Sequence, residues 1–276
     1  MTYIVTGGAG LIGSHIVDRL LADNHKVIVI DDFSTGREEN LARHKDDPNL
    51  SIRKMSICDN LSEIFGQEKF DGIFHLAAVP RVQYSIKFPM ETHNANVNGT
   101  LNLLNCCREY GVKRFIFSAS SSAYGDQETL PLFETMRPSP MSPYALHKLI
   151  GEEYCKMFNF LYGLETICLR YFNVFGPRQN PEGDYACLIP KFITKIHNGG
   201  QPTINGDGEQ TRDFTFVDDV ANANILAAKT TDEKCFGEVF NIGGGDNHSV
   251  NEVTDAILKI SGKNIEPIHG PAVIEP

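Results

Sequence analysis

The first two dozen residues constrain the fold more than any other stretch. Thr2-Tyr-Ile-Val-Thr6 is a β-rich run, followed at once by Gly7, Gly10 and Gly13 in a G-x-x-G-x-x-G spacing. Residues 14–23 then read as an amphipathic helix with apolar Ile16, Val17, Leu20 and Leu21. Strand, glycine turn and helix in this order open a βαβ unit that cradles a dinucleotide pyrophosphate. Gly7 permits the tight turn, Gly10 lets backbone approach the pyrophosphate, and Gly13 lets the helix pack closely. The helix start adds free N–H groups and a positive dipole end.

Residues 26–30 form a second strand that ends on Asp31 and Asp32. An acidic side chain here accepts hydrogen bonds from an adenosine ribose and repels a 2'-phosphate. NAD is therefore expected over NADP, with Arg37 the one nearby residue pointing the other way. Asp31 is chosen as the ribose contact. Further strands are expected at residues 50–55, 71–76, 112–118 and 164–170, with a long helix at 89–110 and another starting near Ser142. This alternation predicts an α/β fold, a doubly wound parallel (Rossmann) sheet. Ala77 and Ala78 leave room above the sheet, and Ser120, Ser121 and Ser122 arrive at its carboxyl edge, where such sheets bind ligands.

Tyr144 and Lys148 stand one helical turn apart on one face. Ser142 suits an N-cap and Pro143 the first helical position. A phenol ordinarily ionises near pH ~10. A neighbouring ammonium, or the positive ring of a bound nicotinamide, favours the phenolate. A serine hydroxyl beside it completes a proton-transfer centre for a secondary alcohol.

Beyond residue 170 the alternation loosens. A helix is expected at 186–197, a hairpin-like turn at Gly206-Asp-Gly208, a helix at 218–228 and a strand at 239–242. A last helix starts near Asn251 with Ser249 and Glu252 as a capping box. The expected division is a dinucleotide-binding domain at 1–168 and a smaller C-terminal substrate lobe at 169–276, with about 213–242 returning to the core. A net charge of -10 argues against a nucleic-acid or anionic-membrane partner. The seven cysteines form no C-x-x-C pair, so they are expected to be reduced core thiols in the cytoplasm and not a metal site. No signal peptide or membrane-length apolar run is seen.

Six motifs, in order, carry a resemblance: Thr6-Gly-Gly-Ala-Gly-Leu-Ile-Gly13, His75-Leu-Ala-Ala78, Ser120-Ser-Ser-Ala-Tyr-Gly125, Tyr144-Ala-Leu-His-Lys148, Arg170-Tyr-Phe-Asn-Val-Phe-Gly-Pro-Arg178 and Gly206-Asp-Gly-Glu-Gln-Thr-Arg-Asp-Phe214. Together they resemble the extended short-chain dehydrogenase/reductases, and within them the NAD-dependent nucleotide-sugar 4-epimerases. The resemblance implies Tyr144 as the base for the sugar's 4-hydroxyl, Lys148 on the nicotinamide ribose and Ser120 on the same sugar oxygen. It implies NAD contacts at Gly7, Gly10, Leu11, Ile12, Gly13, Asp31, Asp32, Ser34, Thr35, Gly36, Ile57, Leu76, Ala77, Ala78, Asn96, Ser118, Tyr144, Lys148 and Tyr171. It implies UDP-sugar contacts at Ser120, Ser121, Ser122, Tyr144, Asn173 and Arg212, and a homodimer built on the helices at 89–110 and 142–160.

The related 4,6-dehydratases carry acids between the Ser/Thr and the Tyr-Gly; here Ser121, Ser122 and Ala123 stand there. The epimerase branch is therefore expected, on UDP-N-acetylhexosamines or UDP-hexoses. UDP-glucuronate 4-epimerases, and net nucleotide-sugar oxidoreductases or dehydratases of the same superfamily, are the alternatives. Ser56 stands where the family places an adenine-binding Asp, and Pro80 and Arg81 stand where N-acetyl-accepting relatives have small residues. The family also runs on for some tens of residues, so the chain is expected to be truncated at its C-terminus.

Overall fold

The computed structural model describes residues 1–181 and 187–272. In chain order the first elements are β1 (Thr2–Thr6), α1 (Leu11–Ala22), β2 (Lys26–Asp31), β3 (Leu50–Lys54), α2 (Ser62–Gln67) and β4 (Gly72–His75). Then come α3 (Val82–Lys87), α4 (Pro89–His93), α5 (Gly99–Tyr110), β5 (Arg114–Ser120), α6 (Pro143–Tyr162) and β6 (Glu165–Tyr171). The remainder comprises β7 (Asn173–Phe175), α7 (Leu188–His197), β8 (Thr203–Asn205), β9 (Thr211–Arg212), β10 (Phe214–Phe216), α8 (Val217–Lys229), β11 (Glu238–Ile242), β12 (His248–Ser249), α9 (Val250–Ser261) and β13 (Ile268–Gly270).

The chain forms two compact units, one of Met1–Tyr171 with Val217–Ile242 and one of Phe172–Phe216 with Gly243–Pro276. The first holds a seven-stranded sheet in the order β11-β6-β5-β4-β1-β2-β3. Every neighbouring pair in it runs parallel. The doubly wound parallel sheet expected from the alternation is therefore present. Its inner strands read as apolar runs because helices cover both faces: Ile4, Val5, Val27 to Ile30, Phe74, Phe115 and Phe117 are all buried. The chain winds outward from β1 through β2 and β3, then restarts at β4 on the other side of β1. That reversal is the topological switch point, where such sheets bind ligands.

The helix expected at 89–110 is interrupted. Residues Asn94–Asn98 form a π turn between α4 and α5. Single π turns inside helices recur at functional sites, because the wider turn redirects the side chains it carries. The strand expected to end at 118 continues through Ser120. Helix α3 carried no sequence signal strong enough to be expected.

In the second unit β7 pairs parallel with β10, β9 antiparallel with β12, and β8 parallel with β13. The hairpin expected at Gly206-Asp-Gly208 is therefore absent: the turn exists, with Gly206 and Gly208 at positive φ, but β8 and β9 take partners elsewhere. Helix α7 starts at Leu188, and the expected start at Ala186 lies outside the described residues. The Ser249–Glu252 capping box at α9 is formed in both directions. Among the described residues no helix is long and apolar enough to cross a membrane. Cys106, Cys107, Cys155 and Cys168 are buried, whereas Cys58 and Cys235 are partly exposed and Cys187 is exposed, so the expectation of core thiols holds for only part of the set.

Candidate active site

At the switch point the glycines divide their work. Gly7 has φ +66°, and a Cβ on it would lie 2.7 Å from the Ala77 backbone nitrogen. A Cβ on Gly13 would lie 2.2 Å from the Gly7 carbonyl oxygen. Both are therefore demanded by packing within the protein. Gly10 is different: a Cβ there would meet only the Gly7 oxygen, at 3.1 Å. Gly10 also caps α1 without any side-chain hydrogen bond, so no side chain closes the start of that helix. An open glycine at an uncapped helix start suits a pyrophosphate.

Asp31 is buried at the end of β2 and braces this turn. Its carboxylate accepts from the N–H groups of Ala9 at 2.9 Å and Phe33 at 2.8 Å. Burial pushes its carboxyl up, and those two N–H groups oppose the shift. A carboxylate offers about four acceptor positions, so capacity remains for ribose hydroxyls. The Ala9 carbonyl is held in turn by the Arg37 N–H and the Asn40 amide. Asp32 is exposed and accepts from the Ser34 N–H at 2.9 Å. A Cβ on Gly36 would press on the Asp31 carboxylate at 2.8 Å, which explains a glycine there. At the end of β3, the Ser56 N–H donates to Asp59, whose carboxylate thus folds back onto the chain.

Ser120, Tyr144 and Lys148 meet at the carboxyl edge of β5. Ser142 caps α6 through its hydroxyl and Pro143 opens it, as expected. The Tyr144 N–H donates to the Ser85 hydroxyl of α3 at 3.0 Å, which fixes the first turn. The Ser120 hydroxyl acts on the Tyr144 phenol and favours its ionised form. Ser122 donates to Ser120 Oγ from its own hydroxyl at 2.9 Å and from its N–H at 3.3 Å. With its lone pairs so occupied, Ser120 directs its proton at the phenol. Lys148 is buried, and its Nζ donates to the Ser118 carbonyl at 2.7 Å, 6.0 Å from the Tyr144 ring centre.

Two electrostatic findings differ from expectation. Burial pushes the Tyr144 phenol up from its ordinary value, and the Ser120 hydroxyl only partly opposes it. Within the chain alone Lys148 does not bring the phenol down. Burial also pulls the Lys148 ammonium down to about 8, with Glu152 on the next turn opposing. Glu152 is itself locked to Arg170.

The other expected contacts scatter. Leu76, Ala77 and Ala78 line the end of β4, beside Gly7. Ile57 is in the core, facing Gly99. Asn96, in the π turn, is buried, and its amide clamps both backbone groups of Val79. Tyr171 pairs with Ser120 in register, and its phenol bonds the Asn224 amide. In the second unit, Asn173 donates from its N–H and its amide to the Asp213 carbonyl. Asp213 in turn accepts from the N–H groups of Gly244 and Gly245. Arg212, next to it on β9, is exposed. Sequence reasoning missed Ser85, Asp213, Asn224 and Glu152, whose partners are remote in the chain or a full helical repeat away.

Residues 3–243 match the family model described as the NAD dependent epimerase/dehydratase family. The chain belongs to that family. A UDP-glucose 4-epimerase from Mycolicibacterium smegmatis is 39% identical over 273 residues, covering 98% of this chain and 86% of that one. Among solved structures, a UDP-N-acetylglucosamine 4-epimerase from Methanobrevibacter ruminantium M1, in complex with UDP-N-acetylmuramic acid, superposes with a TM-score of 0.93 at 41% identity. It covers 99% of this chain, which spans 86% of it. A UDP-glucose 4-epimerase from Thermus thermophilus in complex with NAD gives 0.88 at 34% identity, with the same two coverages. The epimerase/dehydratase membership and the NAD dependence implied by the six motifs are thereby established.

Proposed function

We propose that this chain is an NAD-dependent 4-epimerase of UDP-sugars, acting on UDP-N-acetylglucosamine/UDP-N-acetylgalactosamine or UDP-glucose/UDP-galactose. The observation that carries this is the grouping of Ser120, Tyr144 and Lys148 on β5 and α6 with no carboxylate among residues 121–123. Elimination of water across the sugar needs a second acid; a reversible alcohol oxidation needs only the phenol.

NAD, when bound, accepts and returns the hydride at the sugar's C4. The chain's own residues supply the rest. Gly10 and the start of α1 receive the pyrophosphate, and Asp31 the adenosine ribose. Lys148, anchored on the Ser118 carbonyl, presents its remaining protons to the second ribose. Tyr144 takes the proton of the 4-hydroxyl as the C4 hydride leaves, which yields a 4-keto sugar. Ser120 bonds the same oxygen. After the sugar turns over, the hydride returns to the opposite face and Tyr144 returns the proton, so the reaction is redox-neutral. Asn173 and Arg212 hold the diphosphate, the arginine as a planar two-point donor.

The enzyme is a cytoplasmic homodimer in this account. Buried thiols suit a reducing compartment. Leu146, Met157, Phe160 and Leu161 leave an exposed apolar stripe along α6, and Met90 of α4 is 80% exposed. Apolar surface of this kind on paired helices suits a subunit interface. The test is to incubate the protein with NAD and each UDP-sugar. Epimer without accumulating reduced cofactor is expected; reduced cofactor without epimer overturns the proposal in favour of a net oxidoreductase.

A further inference from the structure

His75 is fully buried at the end of β4, in contact with the rings of Phe115 and Phe117 on β5. Its Nδ1 lies 2.8 Å from Thr6 Oγ1 and its Nε2 2.8 Å from Thr100 Oγ1. Thr6 is the residue before Gly7, and Thr100 follows the π turn. One proton assignment satisfies every contact. Thr100 Oγ1 spends its single proton on the Asn96 carbonyl at 2.7 Å, so toward His75 it accepts. His75 therefore carries its proton on Nε2, and Nδ1 accepts from Thr6. The Thr6 oxygen is then free to accept from the N–H groups of Leu76 and Ala77, both at 3.2 Å. Hydrogen bonds run one way from the β4 end, through Thr6, His75 and Thr100, into the π turn. There Asn96 closes on Val79, back at the β4 end.

We propose that His75 is a positioning residue for the cofactor: it fixes the spacing of the glycine turn, the 76–79 segment and the π turn by standing in the middle of this chain. All three pieces border the switch point. The spacing is tight, since there is no room for a Cβ on Gly7 beside the Ala77 backbone. Burial pulls the imidazole down to about 3, so it stays neutral and the direction of the chain holds at physiological pH. Lys148 is the charged group that acts on it, and it also disfavours a second proton. The sequence motif His75-Leu-Ala-Ala78 thus has a physical reason for its histidine: no other side chain offers a donor and an acceptor on opposite sides of a flat ring that packs against two phenylalanines.

The proposal rests on the glycine turn being the NAD site, so the experiment measures NAD dissociation constants on the full chain for His75→Phe, Thr100→Val, their double variant and Asp31→Asn. His75→Phe keeps the ring packing and removes both hydrogen bonds. Each of the two chain variants is expected to weaken NAD binding by about tenfold. The double variant is expected to be no weaker than the worse single one, because both cut one chain. At saturating NAD, kcat should stay within about threefold, since neither residue touches the reacting atoms. Unchanged NAD affinity in Thr100→Val overturns the proposal, and that variant alone decides should His75→Phe fail to fold. Additive losses, or a kcat loss at unchanged affinity, overturn it too. If Asp31→Asn leaves NAD affinity untouched, the glycine turn is not the site and the proposal falls with it.

Discussion

Arg170 and Glu152 close a two-point ion pair inside the first unit, with Nε to Oε1 at 2.9 Å and Nη2 to Oε2 at 2.6 Å. Both side chains are buried, at 2% and 0% exposure. The guanidinium also lies over the Tyr124 ring, whose hydroxyl donates to Asn241 on the edge strand. Removing one partner leaves an unpaired buried charge. Glu152→Gln is therefore expected to cost about 3–5 kcal/mol of stability, read from urea unfolding. A cost near zero would show that Arg170 finds another partner.

The glycine turn makes a second expectation specific. Gly13→Ala drives a Cβ into backbone 2.2 Å away and should lower stability by at least about 1–3 kcal/mol. Gly10→Ala meets a single atom at 3.1 Å and should leave the cofactor-free melting temperature within a few degrees. Its defect should appear in NAD binding instead. Melting curves with and without NAD separate the two.

The Ser122–Ser120 hydrogen bond, and the action of the Ser120 hydroxyl on Tyr144, rank three variants. Tyr144→Phe removes the proton carrier and should cost about 10²–10⁴ in kcat. Ser120→Ala should cost less, and Ser122→Ala least, since Ser122 only orients the Ser120 hydroxyl. Steady-state kinetics on a UDP-sugar checks the order.

Two buried histidines set the acid limb of stability. Burial pulls His75 down to about 3 and His147 to about 4, from an ordinary value of 6.5. Below pH 6.5 the unfolded chain binds protons that the folded chain refuses. Stability is thus full above pH 6.5 and falls as pH drops toward 4 and 3. Unfolding near pH 5 should take up about two protons from this pair, and His75→Phe should remove about one of them. Urea midpoints across this pH range report the slope.

The apolar stripe on α6 gives a last expectation. Phe160, 86% exposed, should be replaceable by Glu without loss of folding, and if the proposed dimer uses this stripe the parent should sediment as a dimer and the variant as a monomer. A dimer that persists would place the interface elsewhere.

Local signals were legible in the sequence. The β1–glycine–α1 unit, the Ser142 and Ser249 caps and the parallel strands are encoded within a few residues of where they act. Remote pairings were not. The turn at Gly206-Asp-Gly208 looks like a hairpin, yet β8 and β9 pair with strands near residues 268 and 248, while Ile204 of β8 packs with Phe192 and Ile196 of α7 and Val250 of α9 in one small core. The π turn at Asn94–Asn98 has no local signature. The Arg170–Glu152 pair and the His75 chain join a strand to a helix across many residues, and only the folded register reveals them. The Tyr144 and Lys148 spacing was visible, but the direction in which burial moves both groups was not.

The most direct test follows a label. UDP-glucose or UDP-N-acetylglucosamine deuterated at C4 is converted by the protein in ordinary water, and the epimer is analysed by mass spectrometry. Hydride removal and return predicts epimer that keeps its deuterium at C4. Epimer whose label has washed out into solvent would contradict the account, since it would mean that the C4 hydrogen left as a proton.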